Sequence, residues 1–177
     1  MKRVIYLVLC AAICFASCKK SSVDVNPATK TTDSDTPVVV TTVKTNLDNT
    51  VMLKLVNDTR ATGCNCGTTV MPPVASLKWN DALASSALLH SKDMNAIGKL
   101  DHNSSDGTSF SARITATGYN WRTVGENIAW GQTTEQEVFN SWINSPDHCK
   151  NIMNGSFKDF GAAKDGVYWT QDFGAQQ

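Results

Sequence analysis

Residues Phe157–Phe173 read FKDFGAAKDGVYWTQDF. Two runs rich in aromatic and small apolar residues, Phe157 to Lys164 and Val167 to Phe173, flank Asp165-Gly166. Asp-Gly in that position predicts a hairpin, because both residues accept the positive φ of a tight primed turn. Upstream the period is mostly helical. Met52, Leu55, Val56 and Thr59 share one helical face, and Gly63 ends it. Asn80 predicts the cap of a second helix, with Asp81 in its first turn. Leu83, Ala87, His90, Met94 and Ile97 then follow the i, i+3, i+4 rule, and Gly98 loosens the end. Ser109 to Thr117 predicts a short helix closed by Gly118. Thr134 and Glu137 have capping-box spacing for a fourth helix, which turns Val138 and Trp142 inward. Glu126 to Trp130 reads as a third strand. Helices followed by a small antiparallel sheet predict an α+β domain.

The N-terminus reads as a delivery segment. Lys2 and Arg3 precede an apolar stretch from Val4 to Phe15, and Ala16-Ser17 supplies small residues before Cys18. Residues 1–17 are therefore expected to be a secretory signal, since the run is short for a membrane span. Cys18 after small residues resembles the lipobox of bacterial lipoproteins. That resemblance implies a lipid on Cys18 and a membrane as partner, in a bacterial cell envelope, anchored to the outer membrane or exported. Phe15 departs from the Leu usual there, and a plain signal peptide is the alternative. Cys10 and Cys14 read as apolar filler.

Residues 18–48 are expected to be a flexible tether, rich in Thr, Ser, Asp and Val, with Pro27 and Pro37 and no helical period. About thirty such residues reach at most ~100 Å at ~3.3 Å each. Residues 49–177 suffice for one domain with its own core and hold all five tryptophans. Loss of residues 1–17 removes two basic residues and no acid, leaving 14 Lys and Arg against 16 Asp and Glu, a formal charge of −2. No basic stripe or basic-aromatic face is present, so no nucleic-acid partner is expected.

The chain has three histidines. His90 lies on the apolar face of the second helix and is expected to be a buried, hydrogen-bonded core residue. His102 precedes Asn103-Ser104-Ser105-Asp106-Gly107, a loop composition. The bland reading is a solvated loop histidine; the sharper one is a functional group presented at a surface. His148 follows Ser145-Pro146-Asp147, a turn and helix start, where the helix dipole does not favour a cation. Glu126, in its strand, is either exposed or partnered, because a lone buried carboxylate is costly. Glu137 is sufficiently explained as a cap.

In order, the motifs are Leu55-Val56-Asn57, Arg60, Leu77-Lys78-Trp79-Asn80, Leu100-Asp101-His102, Arg113, Gly118-Tyr119, Gly125-Glu126-Asn127-Ile128, Trp142, Ser145-Pro146-Asp147-His148 and Tyr168-Trp169-Thr170-Gln171-Asp172-Phe173-Gly174. This set resembles the CAP superfamily, the SCP domains of cysteine-rich secretory proteins, antigen 5 and pathogenesis-related 1 proteins. The resemblance implies a three-layer α-β-α sandwich with a central cleft into which His102, Glu126 and His148 converge. Several relatives add a second glutamate after the tryptophan of the fourth helix. Here Ile143-Asn144-Ser145 stands there, so that member is missing or replaced by Ser145. Two imidazoles and a carboxylate suit Zn²⁺ or another divalent cation with an open position, and equally a metal-free polar cluster.

Cys64, Cys66 and Cys149 lie in the exported domain, where disulfides are allowed. Their spacing is poor for a zinc ribbon, and an odd number leaves one thiol over. The resemblance implies Cys66 with Cys149, with Cys64 as the spare or the alternative partner. Three functions follow from the resemblance: a module binding a lipid, glycan or peptide in the cleft; a metal-assisted hydrolase or protease of the cell envelope; and a disulfide-stabilised structural or interaction domain. Gly-x-Ser-x-Gly and His-Glu-x-x-His are both absent, which places the binding module first.

Overall fold

A computed structural model describes residues 43–177. The expected signal segment, Cys18 and most of the expected tether lie outside the described residues. The end of that tether, Thr45 to Asp48, belongs to the folded body: Thr45 is buried, and its carbonyl accepts from the backbone N–H of Lys164.

Helix α1 spans Asn49–Thr62, capped by the Asp48 carboxylate on the amides of Thr50 and Val51. It ends at Gly63, whose φ of 75° suits glycine. A small hairpin follows, β1 (Cys64–Cys66) and β2 (Thr69–Met71), then the two-residue strand β3 (Lys78–Trp79). Helix α2 is Asp81–Ile97, capped by Asn80 and closed by Gly98 in the left-handed region. Helix α3 is Phe110–Ala116, capped by Ser109. Strand β4 runs Trp121–Trp130, five residues earlier than its expected start. Helix α4 (Glu135–Ile143) carries the full capping box between Thr134 and Glu137. Helix α5 (Pro146–Ile152) begins at Pro146, where a missing N–H costs nothing. Strands β5 (Asp159–Asp165) and β6 (Tyr168–Gln176) form the expected hairpin around Asp165-Gly166.

The main sheet has the order β3-β5-β6-β4. It is not wholly antiparallel: β3 pairs with β5 in parallel, while β5–β6 and β6–β4 are antiparallel. Two residues of pairing at an edge leave no alternating pattern to read, which is why β3 escaped the sequence. The β1–β2 hairpin escaped for the same reason.

Alternation along the strands sends side chains to two layers. Phe160, Ala162, Trp169 and Phe173 join Met52 and Val56 of α1, Val138 and Trp142 of α4, and Ile152 of α5 in the larger core. The other face of the sheet carries α2. There the helix backbone crosses at Gly161, where a Cβ would lie 2.1 Å from the Ala84 nitrogen. Arg60, fully buried, ties the layers together by donating to the carbonyls of Ala75, Ile152 and Asn154. The architecture is the α+β fold expected, with helices on both faces of the sheet.

Candidate functional site

Glu126 and Asn127 are successive residues of β4, so they face opposite sides of the sheet. Glu126 is buried on the α2 side. Its Oε1 lies 2.8 Å from His102 Nδ1, and its Oε2 accepts from Arg113 Nη2 at 2.5 Å. A carboxylate held by a guanidinium only accepts, which assigns the proton at this contact to His102 Nδ1 and leaves Nε2 without a hydrogen-bond partner among the described residues. The His102 side chain is half exposed, at 52 %, whereas the carboxylate of Glu126 is fully covered. The hydrogen bond that His102 donates to Glu126 raises the pKa of His102 above its ordinary value.

Arg113 sits on α3, buried, and fixes the loop that carries His102. Its Nη1 donates to the carbonyls of His102 and Thr108 and to Ser104 Oγ. Burial of the guanidinium is tolerable because Glu126 and these acceptors replace water. Asp93 on α2 holds the same loop from outside through the amide and hydroxyl of Ser105.

His90 is buried as expected, with Nε2 2.8 Å from the Asp101 carbonyl. That Nε2 is also 4.0 Å from Glu126 Oε2. His90 is thus the floor beneath Glu126 as well as a core residue. Burial lowers its pKa despite the carboxylate nearby. Asp172 of β6 is directly opposite Glu126 in register and completely buried. Neither of its oxygens has a hydrogen-bond partner among the described residues. Burial first, and then the charge of Glu126, push its pKa well above the usual carboxylate range.

On the other side of β4, Asn127 Nδ2 donates to the carbonyl of His148 and to Gln171 Oε1. Asn151 of α5 donates to the Glu126 carbonyl and to Asn127 Oδ1. These bonds hold the start of α5, with His148, against β4, the last strand of the sheet. The His148 side chain is half-buried and makes no hydrogen bond among the described residues. Burial lowers its pKa, and the charge of His102 is near enough to lower it further.

Of the three expected site residues, His102 and Glu126 are joined directly. His148 approaches from the α5 side without touching them. The ligand atoms of these three side chains do not gather within 4.8 Å of one another; among the described residues Cys64, Cys66 and Cys149 do. Cys66 and Cys149 form the expected disulfide, and Cys64 keeps its thiol. Two hollows, of about 640 Å³ beside Trp121 and about 490 Å³ beside Trp79, lie away from the imidazoles. Arg113 and Asp172 were not nominated from sequence. The signal for Arg113 was Glu126 itself, a strand carboxylate in need of a cation.

The family model described as the cysteine-rich secretory protein family, CAP, matches residues 53–173. The chain belongs to the CAP family. A CAP relative by sequence is the uncharacterized protein YkwD of Bacillus subtilis, 38% identical over 99 residues, 55% of this chain and 38% of that protein. An extracellular protein of Bacillus anthracis containing an SCP domain superposes with a TM-score of 0.65 at 25% identity, over 72% of this chain and 40% of that one. An outer surface protein of Borrelia burgdorferi shares the fold, with a TM-score of 0.61 at 19% identity over 72% of this chain and 92% of its own. The chain thus covers less than half the length of the first two. No helix among the described residues is long and apolar enough to cross a membrane.

Proposed function

We propose that this is an exported ligand-binding CAP domain whose binding groups are the outward Nε2 of His102 and the imidazole of His148. The observation that carries the reading is that both oxygens of Glu126 are engaged within the protein, one by His102 and one by Arg113. Glu126 therefore orients His102 rather than meeting the ligand. The ligand class is a lipid, glycan or peptide with a polar or acidic group for His102. Export by residues 1–17 and a lipid on Cys18, with the following segment as tether, place that face in the cell envelope.

A divalent cation such as Zn²⁺ suits the same pair. Histidine ligands usually donate their second ring N–H to a carboxylate, the arrangement His102 has with Glu126. His148 has no side-chain hydrogen bond to give up. When bound, the cation would supply a positive charge for an anionic ligand group. The test is a panel of lipids, glycans and peptides probed with the full chain and His102→Ala, with and without chelator. A ligand retained by the wild type and lost by the variant supports the reading. A ligand retained equally by both refutes it.

A hydrolase is the second reading, favoured by the His102–Glu126 dyad, which has the base-and-orienter geometry of acyl-transfer enzymes. No Ser, Thr or Cys side chain is hydrogen-bonded to His102 among the described residues, so the attacking group would be water. Cleavage of a peptide library by the wild type, abolished in His102→Ala, would move the assignment to this reading.

A further inference from the structure

Cys64 and Cys66 are two residues apart in β1, so their side chains point to the same side of the strand. That side meets Cys149 of α5. The Sγ atoms of Cys64, Cys66 and Cys149 all lie within 4.8 Å of one another. Cys66 and Cys149 are bonded, and the free Cys64 Sγ is 3.6 Å from Cys149 Sγ. Cys66 and Cys149 are buried, whereas Cys64 is partly exposed. A thiol stands in contact with a disulfide that solvent scarcely reaches.

We propose that Cys64, Cys66 and Cys149 form an internal thiol–disulfide exchange site in which Cys64 displaces Cys66 from Cys149. Cys64 loses its proton to solvent, and the thiolate attacks Cys149 Sγ. The Cys64–Cys149 bond forms as the Cys66–Cys149 bond breaks. Cys66 leaves as a thiolate and takes up a proton. One thiol and one disulfide exist before and after, so the step needs no external oxidant or reductant. The attacking sulfur has to close by about 1.5 Å to reach bonding distance, and it has to swing into line with the Cys66–Cys149 bond, because three sulfurs that all lie within 4.8 Å are bent at Cys149. The substrate is the protein's own disulfide. Cys149 follows His148, so a change of partner re-anchors the turn that presents His148.

The test is disulfide mapping of the full chain. The protein is held at mildly alkaline pH, denatured and alkylated in acid to stop further exchange, digested in acid and read by mass spectrometry. The wild type is expected to yield two Cys149 peptides, one joined to Cys66 and one to Cys64. Cys64→Ser should yield only the Cys66 form, and Cys66→Ser only the Cys64 form. The wild-type result needs no variant, so a folding defect in either serine variant does not blunt it. Wild-type protein in which every Cys149 stays joined to Cys66 overturns the proposal.

Discussion

Arg113→Met removes a guanidinium and leaves its pocket filled. Glu126, whose carboxylate is fully covered, then keeps His102 on one oxygen and loses its strong partner on the other. Breaking a buried ion pair from one side costs about 3–5 kcal/mol, because the remaining charge is left in a poor medium. The same substitution frees the carbonyls of His102 and Thr108 and the hydroxyl of Ser104, so the 102–108 loop loosens too. For a domain of this size each kcal/mol moves Tm by roughly 3–5 °C, so a fall of about 10–20 °C is expected. The assay is urea and thermal denaturation of the wild type, Arg113→Met, Glu126→Gln and the double variant. Once Glu126 is neutral, the loss of Arg113 should matter much less, so the double variant is expected to be more stable than Arg113→Met alone. If Arg113→Met lies within about 1 kcal/mol of the wild type, the ion pair is not what holds the site and the reasoning fails.

Gly161→Ala would push a methyl into the backbone of α2 at Ala84. Unlike a clash with a flexible side chain, this cannot be relieved without moving the helix, so a loss of at least 1–3 kcal/mol, roughly, is expected by denaturation; a neutral substitution would contradict the described α2–β5 packing. Reducing the disulfide, whose cysteines are 83 residues apart, should remove about 4–5 kcal/mol on the chain-entropy account, read from urea midpoints with and without reductant. His90→Gln should lower stability by about 1–3 kcal/mol, because the Asp101 carbonyl loses its buried partner. Given the 4.0 Å approach to Glu126, it should also shift the titration of His102; a stable variant with unchanged His102 titration would refute both parts.

Much of the fold was legible because the signals were local. The Asn80 cap and the Thr134–Glu137 capping box fix two helix starts, and Asp165-Gly166 fixes the hairpin. The resemblance added Cys66–Cys149, which no local pattern distinguishes from a bond to Cys64. Short pieces escaped: β1, β2 and β3 are two or three residues each and owe their existence to partners far along the chain. At the site, sequence named His102, Glu126 and His148 but not the division of labour among them. From sequence Glu126 was equally a metal ligand or a member of a metal-free polar cluster; its partner Arg113 lies thirteen residues earlier on a separate helix, where no local pattern connects the two. Asp172 was hidden by the β4–β6 register, which brings it opposite Glu126 across 46 residues of chain.

The central claim is that Glu126 holds His102 with Nε2 outward beside His148. It is tested most directly by imidazole ¹H–¹⁵N correlation spectra of the full chain across pH, with and without Zn²⁺. His102 is expected as the Nδ1–H tautomer, with a pKa above the ordinary 6.5 that falls in Glu126→Gln. A raised folded-state pKa means that the protonated His102–Glu126 pair stabilises the fold below about pH 6.5. That contribution is lost as pH rises through the folded value. Zn²⁺ should perturb Nε2 of His102 together with a ring nitrogen of His148, with affinity falling as pH drops through the pKa of His102. A His102 found as the Nε2–H tautomer, titrating as a free imidazole and unmoved by Glu126→Gln, would contradict the account.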